Sequence, residues 1–281
     1  MKRRLQGWLK RREKGREEIR AVAAEEGPES YAAAATHVGR VREGNEDAYL
    51  CAAGRGLFLI ADGMGGHVAG EQASAAVVRA VDAFLTPERL AELPREECDA
   101  ARELLGEALR EADAVIRRAT EERPELQGMG STAVIAVLRG SALHIANVGD
   151  SRAYLVRGGQ PRLLSRDHSV AALLAERGEI SLEDARTHPL RNQLRECLGG
   201  HRVPRPDYAC VPMLPGDRVV LCSDGLWDMV SDQEMAAMVA AGADPRRVTE
   251  ALVKAANDAG GRDNITVMVL FPEVGEPGEP G

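Results

Sequence analysis

Residues 59–71 read LIADGMGGHVAGE. An apolar strand stops at the pair Asp62-Gly63, the chain turns on Gly65 and Gly66, and a helix opens. Glycine has no Cβ, so the main chain can approach a ligand closely and free a carbonyl to point at it. An aspartate at the strand end before such a turn suits ligand binding. The competing reading is a Gly-rich turn in which Asp62 is an ordinary turn residue. A phosphate-cradling P-loop is the weaker rival, because the Gly-Lys-Ser/Thr ending is missing.

Working outward, residues 47–51 and 56–61 form two strands across the turn AAGRG. In the helix that follows, Ala69, Ala73, Ala76, Val77, Ala80, Val81 and Phe84 recur at helical spacing. Leu105, Ala108, Leu109, Ala112, Val115, Ile116 and Ala119 do the same in a second helix. Residues 132–138, 141–147, 152–157 and 217–223 are short apolar runs bounded by Gly, Asp or Pro, hence strands. Helices over about 232–241 and 246–258 precede a last strand at 265–271. Strands with short connections favour antiparallel meanders, and helices early and late predict an α+β fold of packed sheets with helices outside. Residues 165–200, polar and weakly helical, leave that pattern.

At 281 residues, with 44% hydrophobic and 28% charged, the chain supports one catalytic domain, assigned to residues 31–272. Only 3% of residues are aromatic, which with a net charge of -8 argues against a base-stacking, nucleic-acid-binding surface. Residues 1–30 carry a net +3, which leaves -11 for the remainder. In this basic extension Leu5, Trp8 and Leu9 stand at i, i+3 and i+4. That is the pattern of a short amphipathic helix able to meet an acidic partner or an anionic lipid, and a solvated tail is the alternative. Residues 273–281 read as a disordered tail. The five cysteines show neither a CxxC pair nor zinc-ligand spacing, which predicts reduced thiols in a cytoplasmic protein. No apolar run reaches the ~18 residues of a membrane span, and the basic start lacks the apolar segment of a secretory signal.

The strand-end aspartate recurs. Residues 217–223 run into Asp224-Gly225, Asp263 precedes the last strand, Asp150 occupies the turn GDSR, and Glu46-Asp47 open the first strand. Two carboxylates within about 4 Å repel by roughly 4 kcal/mol at an effective dielectric of 20. Such a cluster needs bound cations. Taken singly, each acid also fits an ordinary turn or cap.

Six motifs in this order, REGNED (42–47), ADGMGG (61–66), GSTA (130–133), NVGDSR (147–152), SDGL (223–226) and RDN (262–264), resemble those of the metal-dependent serine/threonine protein phosphatases, protein phosphatase type 2C, in their bacterial form. The resemblance implies a four-layer αββα sandwich: two antiparallel sheets face to face, a helix pair outside each, and a flap at about 165–200. It implies a metal site at one end of the sandwich. There Asp62 bridges two ions, Asp224 and Asp263 complete the first, and the Gly63 carbonyl serves the second, with waters held by Glu46 and Asp47. Arg42 is the phosphate-gripping residue, since its planar fork makes parallel charge-assisted bonds. Asp150, with Asp224, matches a third and weaker ion. All-oxygen ligands favour Mn²⁺ or Mg²⁺. The implied reaction is hydrolysis of phosphoserine and phosphothreonine by in-line attack of a metal-bridging hydroxide.

Where eukaryotic members carry a histidine after the Asp-Gly pair, this chain has Met64. His67 shares that turn, and a helix-start role competes with a catalytic one. His168 and His188 read as capping or loop-packing residues. The implied partners are phosphorylated proteins, namely serine/threonine kinases and their substrates, acted on by a monomer. A phosphatase dedicated to one phosphorylated regulator and an inactive phosphoprotein-binding module are the alternatives; loss of a metal aspartate would mark the latter, and none is lost.

Overall fold

Strand β4 (Leu57–Met64) buries both of its faces. Leu57, Leu59 and Ala61 pack on one side and Phe58 and Ile60 on the other. A strand apolar in both registers must lie between two layers. In the computed structural model, which describes residues 20–27, 30–94 and 98–273, those layers are the predicted ones.

Strands β1 (Arg20–Gly27), β2 (Ser30–His37) and β3 (Asp47–Ala52) precede β4; β5 (Gly130–Ser131), β6 (Ala133–Arg139), β7 (Ala142–Val148), β8 (Arg152–Arg157), β9 (Gln160–Leu163), β10 (Asp207–Pro212), β11 (Arg218–Cys222) and β12 (Ile265–Pro272) follow. One sheet runs β1-β2-β12-β11-β8-β9 and the other β10-β7-β6-β4-β3, with β5 paired to the end of β4. Every pairing is antiparallel. Between the sheets Phe58, Ile60, Val134, Leu155, Leu221 and Met268 form the central core.

Helices α1 (His67–Phe84), α2 (Pro87–Glu92) and α3 (Cys98–Glu122) follow β4. The stripes of α1 and α3 (Val77, Val81, Leu105, Leu109, Ile116) fill a second core against the outer face of β4, β6 and β7. Truncating a leucine as buried as Leu105 to alanine costs about 2–5 kcal/mol. Helices α4 (Val170–Glu176) and α5 (Leu182–Thr187) belong to the excursion between β9 and β10. Helices α6 (Asp224–Trp227), α7 (Asp232–Ala241) and α8 (Pro245–Asp258) cover the other sheet, where Met235, Val239, Leu252 and Val253 meet Val220, Val267 and Val269. Three cores between four layers make an αββα sandwich. Among the described residues, no helix is long and apolar enough to cross a membrane.

Two expectations need correction. Residues 20–27 are an edge strand paired to β2, so the segment preceding the sheets is residues 1–19 and not 1–30. The alanine-rich run Ala32–Ala35 carries no strand signal, yet it is fully buried between β1 and β12, where only small side chains let α8 approach; the Thr249 hydroxyl reaches the Ala33 carbonyl at 3.3 Å. The second correction concerns thiols. Cys98 at the start of α3 and Cys210 in β10 form a disulfide across 112 residues of sequence, while Cys51, Cys197 and Cys222 are free. Spacing rules see only local pairs, and this one is made by the fold. The pattern Leu5, Trp8 and Leu9 lies outside the described residues.

Candidate active site

The two Asp-Gly pairs, Asp62-Gly63 near the end of β4, which runs on to Met64, and Asp224-Gly225 at the start of α6, meet at one edge of the sandwich because β4 and β11 run toward it from the two sheets. There a cavity of about 470 Å³ is lined by Arg42, Glu46, Asp62, Gly63, Asp150, Asp224 and Asp263, together with Met64 and Asn264. Seven of the eight residues singled out in the sequence therefore share one wall. The eighth, Asp47, lies beneath it. It is opposite Asp62 in the β3–β4 ladder, and its Oδ2 accepts from the Ser223 hydroxyl at 2.8 Å and from the Thr266 hydroxyl at 2.6 Å.

Backbone contacts explain the glycines. A Cβ on Gly63 would stand 2.0 Å from the Gly70 carbonyl oxygen, and one on Gly70 would stand 1.9 Å from Glu46 Oε2. Close packing of β4 on α1 thus brings the Glu46 carboxylate beside the Gly63 main chain. Likewise a Cβ on Gly225 would meet the Asn264 carbonyl oxygen at 1.9 Å, which seats Asp224 against the loop carrying Asp263. The main chain of Asp62 is fixed on both sides. Its N–H donates to the Thr132 hydroxyl at 3.0 Å, and its carbonyl accepts from Thr132 N at 2.8 Å and from the Ser131 hydroxyl at 3.0 Å.

The electrostatics are those of crowded acids. Burial first, then the charges of neighbouring carboxylates, pushes Asp62 and Asp224 well above the usual range. Burial raises Asp150 to about 7, with Asp167 adding and Arg152 opposing, and raises Asp47 to about 6. Arg42 donates from Nη2 to Asp263 Oδ2 at 2.6 Å.

Divalent cations fit this donor set. Asp47 Oδ1 and Asp224 Oδ1 are buried without a hydrogen-bond partner, which is costly for a carboxylate unless a cation or bound water answers it. The polar groups on the wall are oxygen-rich and hard. Among the described residues no three His, Cys, Asp or Glu side chains close on one point; the carboxylates stand around the cavity instead.

Several supporting residues carried no role in the sequence reading although they sit inside its motifs. Asn264 donates to the carbonyls of Val38 and Gly44 and accepts from Glu46 N at 2.8 Å, fixing the loop that bears Arg42 and Glu46. Asn192, Gln193 and Leu194 of the 165–200 excursion close the cavity, and polar composition gave no sign of it. His168 is buried. Its Nδ1 accepts from Gly149 N at 3.1 Å, so Nε2 carries the proton and donates to Asp207 at 2.7 Å, tying down the turn before Asp150. His188 Nδ1 accepts from Leu190 N at 3.2 Å in a local turn. The side chain of His67 is outside the described residues.

The geometry has counterparts among known proteins. The serine/threonine phosphatase stp of Listeria monocytogenes is 37% identical over 247 residues, covering 86% of this chain and 96% of its own. The crystal structure of the Mycobacterium tuberculosis serine/threonine phosphatase PstP/Ppp matches with a TM-score of 0.78 at 34% identity, over 87% of this chain and 99% of that one. The catalytic domain of PstP in complex with two manganese ions matches with a TM-score of 0.76 at 32% identity, over 88% of this chain and 99% of that one. A family model described as protein phosphatase 2C matches residues 35–256. By its fold, its ordered motifs and these matches, the chain belongs to the protein phosphatase 2C family.

Proposed function

We propose that the carboxylate cavity is the catalytic centre of this protein serine/threonine phosphatase, and that it hydrolyses phosphoserine and phosphothreonine on proteins by direct attack of water. The observation that carries the reading is the convergence of Asp62, Asp224, Asp263 and Asp150, from four separate strand ends, on one cavity that also holds Arg42. Asp62, Asp224, Asp263 and the Gly63 carbonyl would hold two divalent cations, Glu46 and Asp47 would hold their waters, and Asp150 with Asp224 would hold a third, weaker one. The ions would supply Lewis acidity and a water acidic enough to ionise near neutral pH.

The chain's own residues do the rest. Arg42 uses Nη2 for Asp263, and a guanidinium carries five donors, so its fork can take a phosphoryl oxygen and orient phosphorus over the carboxylates. Asn264 keeps Arg42 and Glu46 in register through the 38–46 loop. The Asn192–Leu194 wall narrows the cavity around the reacting group.

The partners this reading implies are proteins phosphorylated by serine/threonine kinases, and a monomer is sufficient because the cavity is complete within one chain. Residues 1–20 remain a proposed docking element for an acidic partner or anionic lipid. Phosphate release from a phosphothreonine peptide tests the function: it should require Mn²⁺ or Mg²⁺ and stop in EDTA. Full turnover in EDTA would refute it.

A further inference from the structure

Beside the catalytic cavity lies a second one of about 220 Å³, between the 165–200 excursion and the β8–β9 edge of the sheet. Both cavities use the same strip of chain as a wall. Asn192, Gln193 and Leu194 line the first and Arg191 the second, and Ser169, which lines the second, bridges to Leu194. Val170 N donates to the Gln193 carbonyl at 2.8 Å, so the strip is hydrogen-bonded in place. On the opposite side the chain passes from Asp150 in the first cavity to Arg152 in the second within one turn of strand.

The second cavity has four arginines, and every one is held by a carboxylate: Arg152 by Asp167 at 2.9 Å, Arg166 by Glu176 at 2.6 Å, Arg186 by Asp232 at 2.8 Å and Arg191 by Asp228 at 3.3 Å. Those four charges are thus answered within the chain. What remains is apolar. Ala172, Ala185 and Trp227 line it, and so do Leu163 and Leu182, which are 41% and 80% exposed. Large apolar side chains this exposed are few among the described residues, and two of the seven border this one small cavity. Arg152 also stacks on the Trp227 ring at 3.7 Å, and its Nε is a buried donor without a hydrogen-bond partner. The Arg152 side chain, only 11% exposed, thus forms a closed part of the cavity lining beside the Trp227 ring.

We propose that this cavity is a substrate subsite that takes one aliphatic side chain of the phosphoprotein, a few residues from the phosphorylated one. The inference rests on the phosphatase reading of the adjoining cavity. Its size supports a side chain over a cofactor, since pockets for whole small molecules run to about 300–1,000 Å³. The shared wall supports substrate over a second copy of the chain, because a peptide seated with its phosphate at Arg42 can reach the second cavity by crossing that strip.

The test uses phosphothreonine peptides of glycine and serine in which a single leucine is moved one position at a time on either side of the phosphothreonine. With the Mn²⁺-loaded full-length protein, leucine at one or two neighbouring positions should lower KM about tenfold relative to the leucine-free peptide, the scale of burying one aliphatic side chain. In the double variant Leu163→Ser/Leu182→Ser that ratio should collapse to about one. No positional preference in the wild type, a preference that survives in the variant, or an equal loss of turnover on p-nitrophenyl phosphate would each overturn the subsite. Wild-type turnover of p-nitrophenyl phosphate reports the phosphatase reading separately.

Discussion

Asp47 and Asp62 are directly opposed across the β3–β4 ladder, and Asp47 is held from the other sheet by Ser223, after β11, and Thr266, in β12. Like charges at one cross-strand position destabilise a sheet. The pair is tolerable where hydroxyl donors and cations answer it, and this contact also clasps the two sheets at the end that carries the site.

Asp62→Asn should lower kcat on a phosphothreonine peptide by more than about a hundredfold, beyond the 10–100-fold typical of residues that only support a ligand. Asp47→Asn should fall within that smaller range. The fold should survive in Asp62→Asn, since the hydrogen bonds that fix Asp62 use its main chain. Calorimetric Mn²⁺ titration beside kcat checks this; near wild-type turnover and metal content would contradict the role of Asp62.

The raised acids predict an inverted pH dependence of stability for metal-free protein. Asp150 titrates at about 7 in the fold against about 3.9 in an unfolded chain, and Asp62 and Asp224 shift the same way. A raised pKa contributes stability that is complete below the unfolded value and is lost as pH rises through the folded one. In EDTA, Tm should fall from about pH 4 to about pH 7, and saturating Mn²⁺ should cancel that slope. A metal-free Tm that rises across the interval would show that burial and neighbouring charge do not raise these carboxylates.

Arg42→Ala should raise KM by about tenfold or more with a smaller change in kcat, because a phosphate contact shared by substrate and transition state acts on binding. Asp263 loses its 2.6 Å partner in this variant, so Mn²⁺ stoichiometry must be followed as well. Unchanged KM with loss of bound metal would make Arg42 a support for Asp263.

Asp150→Ala should leave the fold and two bound ions in place while slowing peptide hydrolysis. Its carbonyl, which accepts from Trp227 Nε1 at 3.1 Å, is untouched by the substitution. Metal stoichiometry at saturating Mn²⁺ together with kcat decides the matter; an unchanged kcat, or loss of all metal, would remove the third-site role.

Reducing the Cys98–Cys210 bond, or replacing Cys98 by Ser, should cost about 2–4 kcal/mol, the usual effect of opening a long covalent loop. Urea unfolding with and without dithiothreitol measures it. Identical midpoints would show that the bond adds nothing to the fold.

Local pattern was enough for much of this protein. Helical stripes at 69–84 and 105–119, the doubly apolar β4 and the Asp-Gly strand ends are written in consecutive residues, because burial of one face imposes a short period on the chain. The order of six motifs was likewise legible, and with it the family and seven of the residues that line the cavity. Only the tertiary structure decided what those residues touch. Arg42 meets Asp263 from 221 positions away, Asp47 is anchored by Ser223 and Thr266, Cys98 finds Cys210, and Ala32–Ala35 becomes a central strand against its own modest strand propensity. Such contacts depend on how three cores pack between four layers, and a side chain's distant neighbours leave no periodic trace in the residues beside it.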